Sequence, residues 1–316
     1  MRHSPHPASA LRARRVRMMI LLARSLPTLR THAVIDPPHA PARADRDPVS
    51  IDTAVAHTAR VYNYLLGGDD NFAVDREVAE HAFANYPGGL DAACIDARAN
   101  RAFLSRAVRY LADEVGIRQF LDIGTGIPDA GNTHALAAEV APDARIVYVD
   151  NDPIVLAHAH ALLSSVPDGA AAYVDGDLRQ PEPILGDAAT VLDLTRPVGI
   201  ILVGVLHVIP DHDQPYDRVA TLVEAVAPGS HLAISHMTDD VEAGDMAVVA
   251  RRLDETMRTT YPPALRSRAD VLRFFAGLDL VEPGLVPAPE WRPDGERAHG
   301  GAARPVPLLV GVARKP

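Results

Sequence analysis

From residue 118 onward, short runs of branched apolar residues alternate with segments of helical periodicity, and few folds satisfy that order. The runs "RQFLDIG" (118–124), "RIVYVD" (145–150), "AAYVDGD" (171–177), "VGIILVGVL" (198–206) and "HLAISH" (231–236) read as strands. Between them, residues 132–140, 153–163 and 216–226 read as helices, the second with Pro153 in its first turn. Strands this uniformly apolar, joined by helices, predict a mostly parallel sheet covered on both faces. Two later strands, near 278–281 and 306–312 and preceded by a helix over 269–276, are predicted to add an antiparallel edge.

The chain before residue 118 has a different pattern. A helix is predicted to start from an N-cap at Asp52 or Thr53, to carry Val55, Val61, Tyr62 and Leu65 on one face, and to end at Gly67. A second is predicted over 74–84, and a long third from 90 to 115, between the Pro87-Gly88-Gly89 turn and Gly116. This gives a helical cap over 48–116 ahead of a sheet domain over 117–316. Residues 1–47 hold nine arginines against three acids, with prolines at 5, 7, 27, 37, 38 and 41, which reads as a disordered leader or an over-long translation start. No apolar run reaches the roughly 18 residues a membrane-spanning helix needs. The single cysteine, Cys94, suits a reducing cytoplasm, and a net charge of −10 argues against a broad nucleic-acid surface.

In an open parallel sheet, ligands bind where the strands end and the topology reverses, so the exit of the first strand is the first place to look. It reads "LDIGTGIPDAGNTH". Gly124 and Gly126 let backbone approach a ligand with no Cβ in the way. A dinucleotide fingerprint requires a glycine at position 129, where this chain has Asp129. Asp122, just before the glycines, would repel a pyrophosphate and attract the ammonium of an amino-acid moiety. The second strand ends on Asp150, followed by Asn151, where a carboxylate can accept both hydroxyls of a ribose. The third ends in "DGDL": Asp177 is suited to an adenine amino group, and the backbone N–H of Leu178 to a ring nitrogen. Each acid alone is an ordinary helix cap or strand-end residue. Together they match S-adenosylmethionine (SAM) better than NAD.

The stretches "RVYNYLLGGDDNFAVDR", "ARANRAFLSRAVRYL", "QFLDIGTGIPDAGNTH", "IVYVDNDPIVLAHA", "VLHVIPD" and "APGSHLAISH" carry a further inference. From Ile51 to the C-terminus, the sequence resembles a bacterial family of SAM-dependent methyltransferases first catalogued as a domain of unknown function. That resemblance implies a class I, Rossmann-like methyltransferase fold, with a seven-stranded sheet and SAM over its first three strands. Proteins of this kind usually read Gly-Gly-Lys-Asp-Asn where this chain has Asp69 in place of the lysine. The cap is expected to fold the 67–72 turn over the cofactor, with Asp70 and Asn71 bonding cofactor or substrate, although either residue also suits a helix cap. Tyr64, with Tyr62 and Phe72, is placed to offer a ring face to a sulfonium, or simply to pack in a core. Arg101 is a candidate partner for the methionyl carboxylate or for a surface acid.

Methyl transfer from a sulfonium calls for positioning and exclusion of water, with a base only when the nucleophile must lose a proton. His207, just past the fourth strand, is the candidate base, and His236 reads as a packing residue. No His, Cys and carboxylate cluster has metal-ligand spacing, so no metal is expected. The acceptor is expected to be a small molecule, with no nucleic-acid or membrane partner and with homo-oligomerisation left open. A silent SAM-binding module, an NAD-dependent oxidoreductase and an aminopropyltransferase are the competing readings.

Overall fold

The structure is a computed structural model describing residues 52–128, 131–163, 170–240, 246–257, 263–293 and 306–316; the expected leader over 1–47 and Asp129 lie outside these. Residues 53–316 form one compact unit. Its sheet contains β1 (Gln119–Ile123), β2 (Arg145–Asp150), β3 (Ala171–Asp175), β4 (Gly199–Val203), β5 (His231–Met237), β6 (Asp279–Leu280), β7 (Val286–Pro287) and β8 (Leu308–Arg314). The order along the sheet is β3-β2-β1-β4-β5-β8-β6, with β7 also paired to β8. β1 to β5 are mutually parallel and β8 runs antiparallel to β5. β6 pairs with the C-terminal end of β8 and β7 with its N-terminal part, so the two make a single broken edge strand, and the expected seven-strand path carries an eighth short piece.

The order reverses beside β1, between β2 and β4, and every exit of β1 to β4 falls at the same end of the sheet. Side chains alternate across the strands, so Asp122, Tyr148 and Tyr173, paired in register, lie on one face, while Ile123 and Val149 lie on the other. β1, β2, β4 and β5 are buried along most of their length, whereas β3 at the edge is only partly covered.

The helices are α1 (Thr58–Leu66), α2 (Ala73–Phe83), α3 (Gly89–Arg109), α4 (Thr133–Ala138), α5 (Pro153–Leu163), α6 (Pro181–Ala188), α7 (Pro215–Ala225), α8 (Met246–Met257) and α9 (Arg268–Arg273). α1 begins later than its sequence suggests, with His57 as N-cap, and Val55 is exposed. The inward position belongs to Arg60, whose guanidinium pairs with buried Asp75 at 3.0 Å and bonds the Val55 carbonyl, turning the preceding chain back over the helix. α3 loosens into a π-helical turn over Tyr110–Glu114 before Gly116 turns the chain at φ +80°. Its N-terminal half packs with α1, α2 and α8 through Val61, Leu65, Val78, Ala93, Ala97 and Val249. Its C-terminal half, from Phe103, joins the core on the sheet face with Phe120, Tyr148 and Trp291. α6 and α8 were not anticipated from the sequence.

A candidate cofactor site at the strand ends

The exits of β1 to β4 border an open cleft lined by Ile123, Gly124, Asp150, Asn151, Gly176, Asp177, Leu178, Arg179, Val205, Val208 and Ile209. Gly124 closes one side. At φ +76° its N–H donates to the Val149 carbonyl at 2.8 Å, and a Cβ there would stand 2.6 Å from Val205. Only glycine allows the β1 and β4 exits to come this close. Gly126, at φ +66°, donates its N–H to Asp150 Oδ2 at 2.9 Å, while Asp152 N–H donates to Asp150 Oδ1 at 3.0 Å. The loop after β1 and the loop after β2 therefore both aim the same carboxylate. Burial raises the Asp150 pKa, against the lowering effect of those two N–H groups.

Asp177 also lines the cleft, with Leu178 beneath it, but not as a bare acceptor. Arg179 Nε and Nη2 donate to its carboxylate at distances down to 2.6 Å, and Asn151 Nδ2 approaches at 3.4 Å. Burial raises this pKa, yet the Arg179 hydrogen bonds outweigh it and the net shift is downward. Arg179 is a cleft residue that the sequence reading passed over.

Asp122 lies deeper, on the sheet face beside α3. Thr133 Oγ1 donates to its Oδ2 at 2.6 Å. Burial pushes the carboxyl up to about 6, opposed by the Thr133 bond and by the positive charge of Arg101, which places Arg101 in the same electrostatic neighbourhood. Tyr148 and Tyr173 stack at 4.8 Å next to it, and the Tyr148 hydroxyl accepts from the His134 N–H at 2.8 Å.

The cap residues divide differently. Asn71 Nδ2 donates to Asn63 Oδ1 at 2.9 Å and to the Gly68 carbonyl at 2.7 Å, and Arg76 donates to Asn71 Oδ1 at 2.9 Å. Its side chain ties the turn to itself. A Cβ on Gly68 would meet the Asn63 amide at 2.4 Å, which accounts for the second glycine of the pair. Asp70 is exposed. Tyr64 donates its hydroxyl to Glu80 on α2 at 3.2 Å, so Tyr64, Asp70 and Asn71 are not among the residues lining the cleft. Tyr62 instead reaches α3, where its hydroxyl donates to the Ala97 carbonyl at 3.2 Å and accepts from Asn100 Nδ2 at 3.0 Å. Asn100, buried and within 3.4 Å of where a Cβ on Gly204 would stand, connects the cap to the β4 exit.

His207 sits in the short 3-10 turn Leu206–Val208 after β4, with its Nδ1 buried and lacking a hydrogen-bond partner among the described residues. Burial lowers its pKa to about 4, with the charge of Arg266 adding to the effect. Its ring meets His236 edge to face at 6.1 Å. Arg266 is the organising group behind it. Its guanidinium donates to the carbonyls of Leu206 at 3.0 Å and Ile209 at 2.8 Å, to His236 Nε2 at 2.7 Å, and to Asp211 at 2.6 Å. His236 must keep that nitrogen unprotonated to accept, and burial lowers its pKa to about 3.

A parallel sheet reversing at β1, an antiparallel β8 inserted beside β5, and an acid closing β2 above a glycine turn define the class I methyltransferase fold. The comparisons agree: the chain belongs to the S-adenosyl methyltransferase family, whose profile matches residues 44–316, and it is a SAM-dependent methyltransferase. It is similar to a solved DUF574 family protein from Streptomyces avermitilis, at 43% identity and a TM-score of 0.78 over 84% of this chain and all of that one. A candidate methyltransferase from Thermobifida fusca is 39% identical, with a TM-score of 0.75 over 84% of this chain and 96% of that one. No curated protein matches significantly. Among the described residues no helix is long and apolar enough to cross a membrane.

Proposed function

We propose that the protein transfers the methyl group of SAM to a small-molecule acceptor in the cytoplasm, with the adenosine in the strand-end cleft. The observation that carries this reading is the double backbone support of Asp150, from Gly126 N–H and Asp152 N–H, at the mouth of a cleft with apolar walls. The residues around the cleft suit a nucleoside. Ile123, Leu178, Val205, Val208 and Ile209 offer faces for a purine, and the rim supplies the acceptors that sugar hydroxyls and an exocyclic amine need. When bound, SAM supplies a methyl group activated on a sulfonium.

The residues divide the remaining work. Asp150 would accept from the ribose, Asp177 and Leu178 would meet the adenine edge, and Asp122 with Arg101 would hold the amino and carboxylate ends of the methionyl portion. The helices over 48–116 would screen the exposed side from water. His207 is neutral above pH 4, but an imidazole that acidic gains little by taking a proton. Its role is better written as a hydrogen-bond acceptor than as a general base.

The test has two arms. Calorimetric titration should show S-adenosylhomocysteine (SAH) binding and no NADH binding. Incubation with methyl-labelled SAM and a cell extract should then put label in the small-molecule fraction. Preferential binding of NADH would overturn the cofactor assignment, and label confined to protein or nucleic acid would overturn the acceptor class.

A further inference from the structure

The N-terminal helices meet the cofactor cleft at one polar contact that the assignments above do not use. His57, the N-cap of α1, brings its Nδ1 to 2.7 Å from Asp152 Oδ2 in the turn between β2 and α5. We propose that His57 is a positioning residue that latches the N-terminal helices onto the ribose-binding end of β2 through Asp152.

Asp152 is only 3% exposed, and its Oδ2 is buried with no hydrogen bond from its own loop. Its Oδ1 accepts from the Ile154 N–H at 2.8 Å, capping α5, and its own N–H donates to Asp150 Oδ1 at 3.0 Å. That leaves Oδ2 for His57. A buried carboxylate oxygen without a donor is costly, so the imidazole satisfies a group that the loop cannot satisfy from its own backbone. The 2.7 Å contact binds when Nδ1 carries a proton toward Asp152, in competition with the 3.4 Å approach of the Ala59 N–H to the same nitrogen.

The other side of the latch is equally fixed. The His57 N–H donates to Asp75 Oδ1 at 2.9 Å. Asp75 is fully buried and also takes the Arg60 guanidinium and the Phe72 N–H, so α1, the 67–72 turn and the start of α2 move with His57 as a unit. An unbroken polar path therefore runs from the N-terminal helices through His57 and Asp152 to Asp150 and Gly126, the groups aimed into the cleft. Because linkage is reciprocal, a ligand that tightens Asp150 also tightens the docking of α1, and freeing α1 weakens that ligand.

The proposal rests on the placement of the ribose at Asp150, and the experiment separates the two. In unligated protein, hydrogen exchange should show the Asp152 and Ile154 amides opening faster in His57→Ala than in wild type, while His57→Asn, which keeps a donor, restores most of the protection. With SAH, wild type should gain protection in α1 and His57→Ala should not. Calorimetry should show His57→Ala binding SAH about tenfold more weakly, with His57→Asn recovering most of the loss and with Asp152→Ala adding little to His57→Ala. Unchanged exchange at Asp152 and Ile154 in folded His57→Ala would overturn the latch whether or not SAH binds. Wild type that fails to bind SAH would overturn the ribose assignment, and the unligated exchange would still decide the latch.

Discussion

Asp122 and Asp150 are neighbours in space, the first buried and the second half-buried at the cleft, and the difference determines what each can be asked to do. Asp122 is held at about 6 by burial, above its unfolded value of 3.8. Its contribution to stability is therefore fully present below 3.8 and is lost as the pH rises through about 6. Unligated Asp122→Asn should be more stable than wild type at neutral pH, by about 2 kcal/mol in a denaturant titration. An ammonium placed against Asp122 reverses the preference, so SAH binding should strengthen as pH rises through about 6 and should release protons. Titrations near pH 6 in two buffers of different ionisation heat check this, and equal heats would separate Asp122 from the ligand's amine. Asp150→Ala should weaken SAH binding by about 1.5–3 kcal/mol, as expected for lost charged hydrogen bonds. The glycines and acids of the cleft were legible because strand-end chemistry is local in sequence. Arg179 stands only two residues past its partner Asp177 and was open to reading, whereas Arg266 and His57 were not, because each acts on a group that the fold brings to it and no spacing marks the pair. The aromatic positions near Gly67 were ambiguous for the same reason: Tyr62 and Tyr64 lie two apart on α1, and only tertiary packing sends one to Asn100 and the other to Glu80.

Among the elements, the connections from β1 to α4 and from β4 to α7 form the two sides of the cleft, and both depend on contacts with no slack. Gly124→Ala would place a methyl against Val205 at a backbone angle that L-residues rarely adopt. It should cost about 1–3 kcal/mol in urea unfolding and should also weaken SAH binding. The β4 exit is clamped by Arg266 from behind, with Tyr216 and Phe274 flanking the guanidinium at 5.6 and 5.5 Å. Arg266→Met would leave the Leu206 and Ile209 carbonyls without their donors and should destabilise by about 2–4 kcal/mol, with weaker SAH binding because Val208 and Ile209 form the cleft wall. Unaltered binding in a folded variant would show that the wall holds its shape unaided. At this scale the sheet strands were legible in sequence and two helices were missed. α8 buries Met246, Val249, Ala250 and Leu253, a helical spacing that was present to be read. α6 begins at Pro181 and spans only eight residues, too few for its period to stand out.

Across the whole molecule, the C-terminal region fastens α3 to the sheet. Trp291 is fully buried, edge-on to Phe103 at 5.3 Å and to Tyr110 at 5.8 Å, and Arg106 donates to the carbonyls of Trp291 and Ala288, each at 2.7 Å. Trp291→Ala should cost about 3–5 kcal/mol, read as a lower midpoint in a thermal melt, and a midpoint close to wild type would mean that the segment folds independently of it. The topology followed from the alternation of strands and helices because a parallel sheet needs long crossovers, whereas the splitting of the last edge into β6 and β7 left no pattern to find. That split has an effect on the molecule's neighbours. Beyond β8 the outermost rung consists of two dipeptides separated by a turn, one of them ending in Pro287, which has no N–H to give. A strand from another molecule would find no continuous row of donors and acceptors to copy on that flank, so this side of the sheet is protected against templated aggregation at high concentration.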